Sequence, residues 1–151
     1  MDAFELLKKD HEKVAEIFEK LEETTERGVK TREELFERLQ KELEVHSKVE
    51  EQIFYPAIKE AEETHEITLE AYEEHAVVKT LLEELASDPK DTEEWTAKLK
   101  VLRENVEHHV DEEEGEMFKG ARQVLSDEQV ESLGARMEAA KREEKRAAAG
   151  G

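Results

Sequence analysis

Apolar residues recur every three or four positions in four stretches of the chain, namely 4–21, 35–57, 72–85 and 95–117. Steps of three and four place such residues on one face of an α-helix, whereas a half-buried strand alternates with a period of two. No stretch shows sustained alternation. The pattern therefore predicts an all-α protein with four amphipathic helices and a more polar fifth helix near the C-terminus.

Turn and capping residues mark the predicted helix boundaries. Gly28 separates the first two helices, and Thr31 with Glu34 forms a capping box that predicts the start of the second. Pro56 is expected to kink or shorten the second helix near its end. The segment 87–91 reads Ser-Asp-Pro-Lys-Asp and predicts the next loop. Long helices joined by short loops indicate an antiparallel up-down bundle.

The C-terminal part of the chain predicts one further helix. Ser126 with Gln129 forms a second capping box that opens it. The expected organisation is a four-helix bundle over residues 2–120, a C-terminal helix extension over 121–146 and a flexible tail over 147–151.

Composition narrows the classes of partner. The 151 residues contain 42 Asp and Glu against 23 Lys and Arg, a formal charge of 23 − 42 = −19, which argues against nucleic acid and anionic membranes as partners. The absence of cysteine excludes disulfides, zinc-thiolate sites and cysteine nucleophiles. The start of the chain is acidic, unlike a secretory signal, and no apolar run approaches the roughly 18 residues of a membrane span. We expect a cytoplasmic protein that is a monomer or a weak dimer.

Each of the four predicted bundle helices carries one histidine on its apolar face, and the second and fourth helices add a glutamate four residues later. Residues at i and i+4 share a helical face. The six residues are His11, His46, Glu50, His75, His109 and Glu113. One such histidine would ordinarily be a packed core residue, but an unpaired buried carboxylate costs several kcal/mol and calls for a cation. The repetition over four helices favours one shared metal site.

Four imidazoles and two carboxylates suit a pair of iron ions, with manganese as the other option. If both glutamates bridge and the histidines divide two per metal, each ion has two nitrogen and two oxygen ligands. A bridging oxo or hydroxo group adds a fifth. One position on each metal is then open for a small molecule such as dioxygen, peroxide or nitric oxide.

The order of these residues resembles the hemerythrin-like HHE cation-binding family over roughly residues 2–120. The strings that carry the resemblance are residues 6–11, 46–56, 73–75 and 108–114. The resemblance implies a non-haem di-iron centre, and carrying over the family's ligands one by one selects the same six residues.

The sequence departs from the five-histidine oxygen carriers of that family. Those have a second histidine one turn after the third-helix ligand, where this chain has Val78 and Lys79. They also have His-x4-Asp where this chain has His-x3-Glu. The departure favours oxygen or nitric oxide sensing, peroxide turnover of a catalase-like or peroxidase type, or iron handling over simple oxygen carriage. Iron binding or sensing without turnover, and a metal-free structural or interaction bundle, remain the alternatives.

Five neighbouring residues require separate interpretation. His108 lies one residue away from the apolar face and is interpreted as a surface residue or a residue that supports the ligands, although a shift of one residue in register would make His108 and Glu112 the ligands of the fourth helix. Tyr55 lies close to the centre in sequence and could offer a phenolate, although a packed tyrosine is the simpler interpretation. Glu51 and Glu114 are candidates for orienting the histidines, because ligating imidazoles donate their second N–H to an oxygen, although exposed acids on the outer helix faces are the simpler interpretation.

Overall fold

The structure, a computed structural model that describes residues 1–150, is an antiparallel up-down helical bundle, as predicted. Its elements are α1 (Ala3–Glu22), α2 (Val29–Val49), the π-helical segment π1 (Glu50–Phe54), α3 (Tyr55–Ile58), α4 (His65–Ser87), α5 (Glu93–Glu112), the π-helical segment π2 (Glu113–Met117), α6 (Phe118–Val124) and α7 (Asp127–Gly150). The bundle consists of α1, α2 with its continuation π1–α3, α4, and α5 with its continuation π2–α6. Within residues 1–150 there is no strand, and no helix has the length and apolarity needed to cross a bilayer.

The apolar core is divided into two clusters along the bundle axis. One cluster contains Phe4, Phe54 and Phe118, and the other contains Phe18 and Trp95. Fully burying an apolar side chain of this size contributes about 1.5–3 kcal/mol. Along each bundle helix, the apolar residues on one side of the histidine belong to the first cluster and those on the other side to the second, except that Val45 and Val110, each next to a histidine, lie with the opposite cluster. The histidine level is therefore a polar layer held between two apolar ones.

The start of α2 differs from the prediction. The helix begins directly after Gly28, which is its N-cap, so Thr31 lies inside the first turn and the capping box predicted there is wrong. The physical reason is Arg32, which is buried and donates to Thr24 Oγ1 at 2.9 Å and to the Lys90 carbonyl at 2.6 Å. These contacts hold residue 32 inside the bundle, and its backbone N–H donates to the Gly28 carbonyl at 2.9 Å, which places Thr31 within the first turn.

The capping box at Ser126 is confirmed. The Ser126 backbone N–H donates to Gln129 Oε1 at 2.8 Å, and the Gln129 N–H donates to Ser126 Oγ at 3.1 Å. Helix α7 continues to Gly150, so residues 147–150, expected to be a flexible tail, extend the helix. Gly151 lies outside the described residues. The domain division at residue 121 stays a prediction.

Both His-x3-Glu units run into a π-helical segment that begins at the glutamate. The Tyr55 N–H donates to the Glu50 carbonyl and the Phe118 N–H to the Glu113 carbonyl, each five residues back. Pro56 lacks an N–H, which helps to explain the first widening. The sequence predicts a disturbance at Pro56, and the structure places it about one turn earlier. π-Helical segments are rare and concentrate at functional sites.

Helix α7 packs across α1, α2 and π1. Its buried side chains are Val130, Leu133 and Met137. At Gly134 the start of the chain crosses the helix so closely that a Cβ would overlap the Met1 carbonyl oxygen and come within 2.7 Å of the Asp2 backbone carbon. The glycine thus sets how closely α7 approaches the bundle.

We predict that Gly134→Ala loosens α7, because neither partner atom belongs to a flexible side chain. The expected loss is about 1–3 kcal/mol of unfolding free energy, typical of overpacking, measured by chemical denaturation. Gly115→Ala is the matched control, since a Cβ there meets no heavy atom within 4 Å among residues 1–150. Equal stability of the two variants would contradict this account of α7 docking.

Candidate metal centre

The six residues that the sequence singles out meet in the polar layer of the bundle. They are called the inner residues below: His11, His46, Glu50, His75, His109 and Glu113. Each histidine comes from a different bundle helix, and the two glutamates open π1 and π2. The glutamates are fully buried at 0% exposure, and no histidine exceeds 9%.

Glu50 lies between two histidines of neighbouring helices. Its Oε1 is 3.1 Å from His46 Nε2 and 3.2 Å from His75 Nε2. His46 lies one turn before Glu50 on α2, which continues into π1, whereas His75 lies on α4. The carboxylate therefore faces the Nε2 atoms of two imidazoles at once.

Glu113 occupies the corresponding position on the opposite side of the layer. Its Oε1 is 3.1 Å from His11 Nε2, and its Oε2 is 3.3 Å from His109 Nε2. Each glutamate thus faces two histidines, and together the two carboxylates reach all four rings.

The histidines form two pairs. The ring centroids of His11 and His46 are 5.0 Å apart, and those of His75 and His109 are 4.8 Å apart with their Nε2 atoms at 3.3 Å. Ligand atoms that lie close enough together to share one ion form two buried groups. The first group consists of His11, His46, Glu50 and Glu113, and the second of Glu50, His75 and His109. Because Glu50 belongs to both groups, the arrangement fits two adjacent cations with a shared carboxylate.

Several atoms at this centre are buried without a hydrogen-bond partner among residues 1–150. They are Nε2 of His11 and of His46, both carboxylate oxygens of Glu50, and Oε1 of Glu113. Leaving a buried polar atom unsatisfied costs about 1–3 kcal/mol, and more for a charged group. Imidazole nitrogens and carboxylate oxygens that converge in this way are the donor set that iron and manganese accept. The residues present therefore fit such a metal pair.

Each inner histidine is held from behind by a carboxylate at its Nδ1. The four contacts are Glu114 with His11 at 2.5 Å, Asp10 with His46 at 2.9 Å, Glu51 with His75 at 2.7 Å and Glu74 with His109 at 2.7 Å. We call these carboxylates the outer acids. An acid at Nδ1 holds the proton there and leaves Nε2 directed at the centre, as ligating histidines require.

Each outer acid is the chain neighbour of an inner residue but orients the histidine of another helix. Consecutive helical residues point about 100° apart, so the neighbour of an inward residue points toward the adjacent helix. The contacts form a closed ring around the bundle. Sequence reasoning proposed Glu51 and Glu114 but missed Asp10 and Glu74, and the missed signal is that each directly precedes an inner histidine.

The polar layer shifts the pKa values of two histidines. Burial alone lowers the pKa of His46, but the negative charge of Glu50 and the hydrogen bond to Asp10 raise it well above 6.5. Burial likewise lowers the pKa of His109, yet hydrogen bonds to Glu113 and Glu74 raise it to about 10. Both imidazoles are therefore protonated near neutral pH when no metal is bound.

Tyr55 is packed in the core, and its hydroxyl also reaches the centre. The hydroxyl donates to Glu113 Oε2 at 2.6 Å and lies 3.3 Å from the Nε2 atoms of both His75 and His109. Burial, followed by the charges of Glu50 and Glu113, raises its pKa well above 10. Tyr55 is therefore a neutral phenol beside one histidine pair.

The alternative fourth-helix pair lies on the surface. His108 is 66% exposed and its Nε2 lies 2.9 Å from Glu112 Oε1 and 3.8 Å from Glu74 Oε2. This places His108 and Glu112 outside the bundle, whereas His109 and Glu113 point into it.

Comparison with known proteins agrees with the geometry. The sequence profile of the hemerythrin HHE cation-binding domain matches residues 2–121. No curated protein gives a significant match. Among solved structures, the crystal structure of a hemerythrin HHE cation-binding domain-containing protein from Mycobacterium kansasii is similar, with a TM-score of 0.86 and 28% identity. That match covers 98% of this chain and 90% of the other chain, so it extends beyond the bundle into α7.

We predict that metal binding releases protons, because a ligating Nε2 must be unprotonated. Near pH 7.5, His109, with a pKa of about 10, contributes about one proton per chain, and His46, whose pKa is also raised, adds to the release. Raising the pH removes this competition, so apparent metal affinity should increase up to about pH 10, the pKa of His109. Calorimetric titration in buffers of different ionisation enthalpy measures the release. Binding heats that do not depend on the buffer would contradict protonation of His46 and His109 in the metal-free protein.

Proposed function

The chain belongs to the hemerythrin HHE cation-binding domain family, and we propose that its six inner residues hold two iron ions that bind or react with a small molecule. The candidate molecules are dioxygen, nitric oxide and hydrogen peroxide. The observation that carries the proposal is the set of buried Nε2 and carboxylate atoms that converge without hydrogen-bond partners among residues 1–150.

The geometry supports a division of the ligands between two ions. His11 and His46 would serve one ion, His75 and His109 the other, and both glutamates would be shared. This gives each ion two nitrogens and two oxygens. Two carboxylates also offset part of the cationic charge in a site that water does not solvate.

Iron is the proposed metal, with manganese as the substitute, because imidazole and carboxylate suit both and no thiolate is present to favour zinc or copper(I). When bound, such a pair supplies redox electrons and open coordination positions to a small molecule. The outer acids keep each Nε2 available to the metal, and the apolar clusters above and below exclude water from it.

Two features make the halves of the centre unequal. The Tyr55 hydroxyl lies beside His75 and His109 only, and a surface groove of about 510 Å³ between α2 and α4 is lined by His75, Glu51 and Tyr72. We therefore propose that the small molecule approaches the His75–His109 half. Tyr55, as a neutral phenol, would hold a proton on its oxygen at that half and could donate it to a bound molecule.

Iron binding or sensing without turnover is the second candidate function. It is favoured by the complete burial of Glu50 and Glu113, which leaves the histidine edges as the exposed part of the centre. The same protein would then contain the metal pair and be insensitive to peroxide.

We further propose that the protein acts in the cytoplasm as a monomer or weak dimer without nucleic acid, in line with its net charge of −19 and lack of cysteine.

We predict that protein produced with ample iron contains about two metal ions per chain and shows near-ultraviolet and visible absorption. Peroxide or nitric oxide should change that spectrum. His109→Ala should lose at least one metal per chain, because it removes a buried ligand. The neighbouring His108→Ala should lose none, because that side chain is exposed. Elemental analysis and absorption spectra measure both effects.

The outcomes separate the candidates. Well under one metal per chain, or equal metal loss in the two variants, would contradict the proposed centre. Full metal content with a spectrum that neither peroxide nor nitric oxide alters would leave iron binding without turnover as the function.

We predict that Tyr55→Phe keeps the metal content but slows peroxide consumption by about 100-fold, the lower range for loss of a general acid. Tyr72→Phe is the matched control, because its ring packs 5.4 Å from that of Tyr55 but is only partly buried. Stopped-flow kinetics at the visible band compare the two. Equal rates in both variants would exclude a proton-donating role for Tyr55.

A further inference from the structure

Three of the outer acids have access to solvent, and one does not. The side chains of Glu51, Glu74 and Glu114 are 40%, 24% and 34% exposed, whereas that of Asp10 is 4% exposed. Water can therefore solvate the outward oxygen of the first three but not that of Asp10. A buried carboxylate needs a partner within the protein.

Helix α7 supplies that partner. It covers the face where α1 meets α2, which is why Asp10 is buried, and it places the Lys141 ammonium against Asp10 Oδ1. The other oxygen, Oδ2, faces His46 Nδ1 at 2.9 Å. Both carboxylate oxygens of Asp10 are therefore paired within the protein. Lys141, Asp10 and His46 thus form a continuous chain from α7 to the polar layer.

We propose that Lys141 is a positioning residue of the centre, which fixes Asp10 and through it the ring of His46. Without the ammonium, Asp10 would be a buried carboxylate with a single histidine partner, and its side chain would turn away from His46. That movement releases His46 Nδ1, and Nε2 is then no longer directed at the centre. Helix α7 lies beyond the family match at residues 2–121. Its docking therefore sets how well His46 is oriented in the His11–His46 half of the centre.

The chain offers a close control on the same helix. Lys145 lies one turn after Lys141 and pairs with Glu42 on α2 at 3.2 Å, but it contacts no outer acid. Lys145→Met and Lys141→Met therefore each remove one ion pair between α7 and the bundle. Lys141→Arg keeps the positive charge and should therefore keep much of the orientation of Asp10 and His46.

The first measurement uses metal-free protein and does not depend on the proposed function. We expect Lys141→Met to shift the ring nitrogen resonances of His46 in ¹⁵N NMR, Lys145→Met to leave them unchanged, and Lys141→Arg to return them toward the original positions. Thermal unfolding of both methionine variants reports whether α7 stays docked. Unchanged His46 resonances in Lys141→Met would overturn the proposal.

The second measurement tests the consequence for metal, and this arm rests on the proposed function. Loss of a group that orients a ligating histidine typically weakens metal affinity 10–100-fold. In competition with a chelator, Lys141→Met should lose one of two cobalt(II) ions at roughly tenfold lower chelator concentration than Lys145→Met. Equal retention in both variants would overturn the proposal. If the unmodified protein bound no cobalt, the proposed function would fail, and the His46 resonances alone would decide the role of Lys141.

Discussion

The structure depends on one constraint: six ionisable side chains are buried in a single layer between two apolar clusters. Burial of an unpaired charge has one of the largest free-energy costs in folding, because the charge loses its hydration. In this layer the cost is only partly offset within the protein, since several Nε2 and carboxylate atoms have no hydrogen-bond partner among residues 1–150. A pair of cations would satisfy those atoms. The site is thus better understood as a receptor for positive charge than as a hydrogen-bonded core.

The ring of outer acids explains how such a layer keeps its geometry. An imidazole presents Nε2 inward only if Nδ1 is held outward. In this bundle the carboxylate that contacts each Nδ1 belongs to a neighbouring helix, where it is adjacent in sequence to another inner residue. Bundle packing and ligand orientation therefore depend on the same backbone positions. Among residues 1–150, Asp10 is the only outer acid that pairs with a residue of α7, namely Lys141, which takes the place of solvent. This links the appended helix to the chemistry of the layer.

Sequence alone predicted the helices and the six inner residues, because both follow from periods of three and four. It missed Asp10 and Glu74, because the histidines that they contact lie on neighbouring helices. That Asp10 and Glu74 each precede an inner histidine does not reveal these contacts until the helices are packed. Helix propensity does not mark the π-helical segments at Glu50 and Glu113. The capping-box pattern placed the start of α2 at Thr31, because it does not show that Arg32 is buried. Sequence reasoning placed Tyr55 near the centre and preferred a packed side chain; the structure shows that it is packed and that its hydroxyl also reaches Glu113.

The most direct test of the metal-pair proposal is anomalous X-ray diffraction from crystals of iron- or manganese-loaded protein. The account predicts two peaks per chain. One should lie between His11 and His46, the other between His75 and His109, with Glu50 and Glu113 in contact with both. A single peak, no peak in the polar layer, or metal only at the surface group of Glu74, His108 and Glu112 would contradict it.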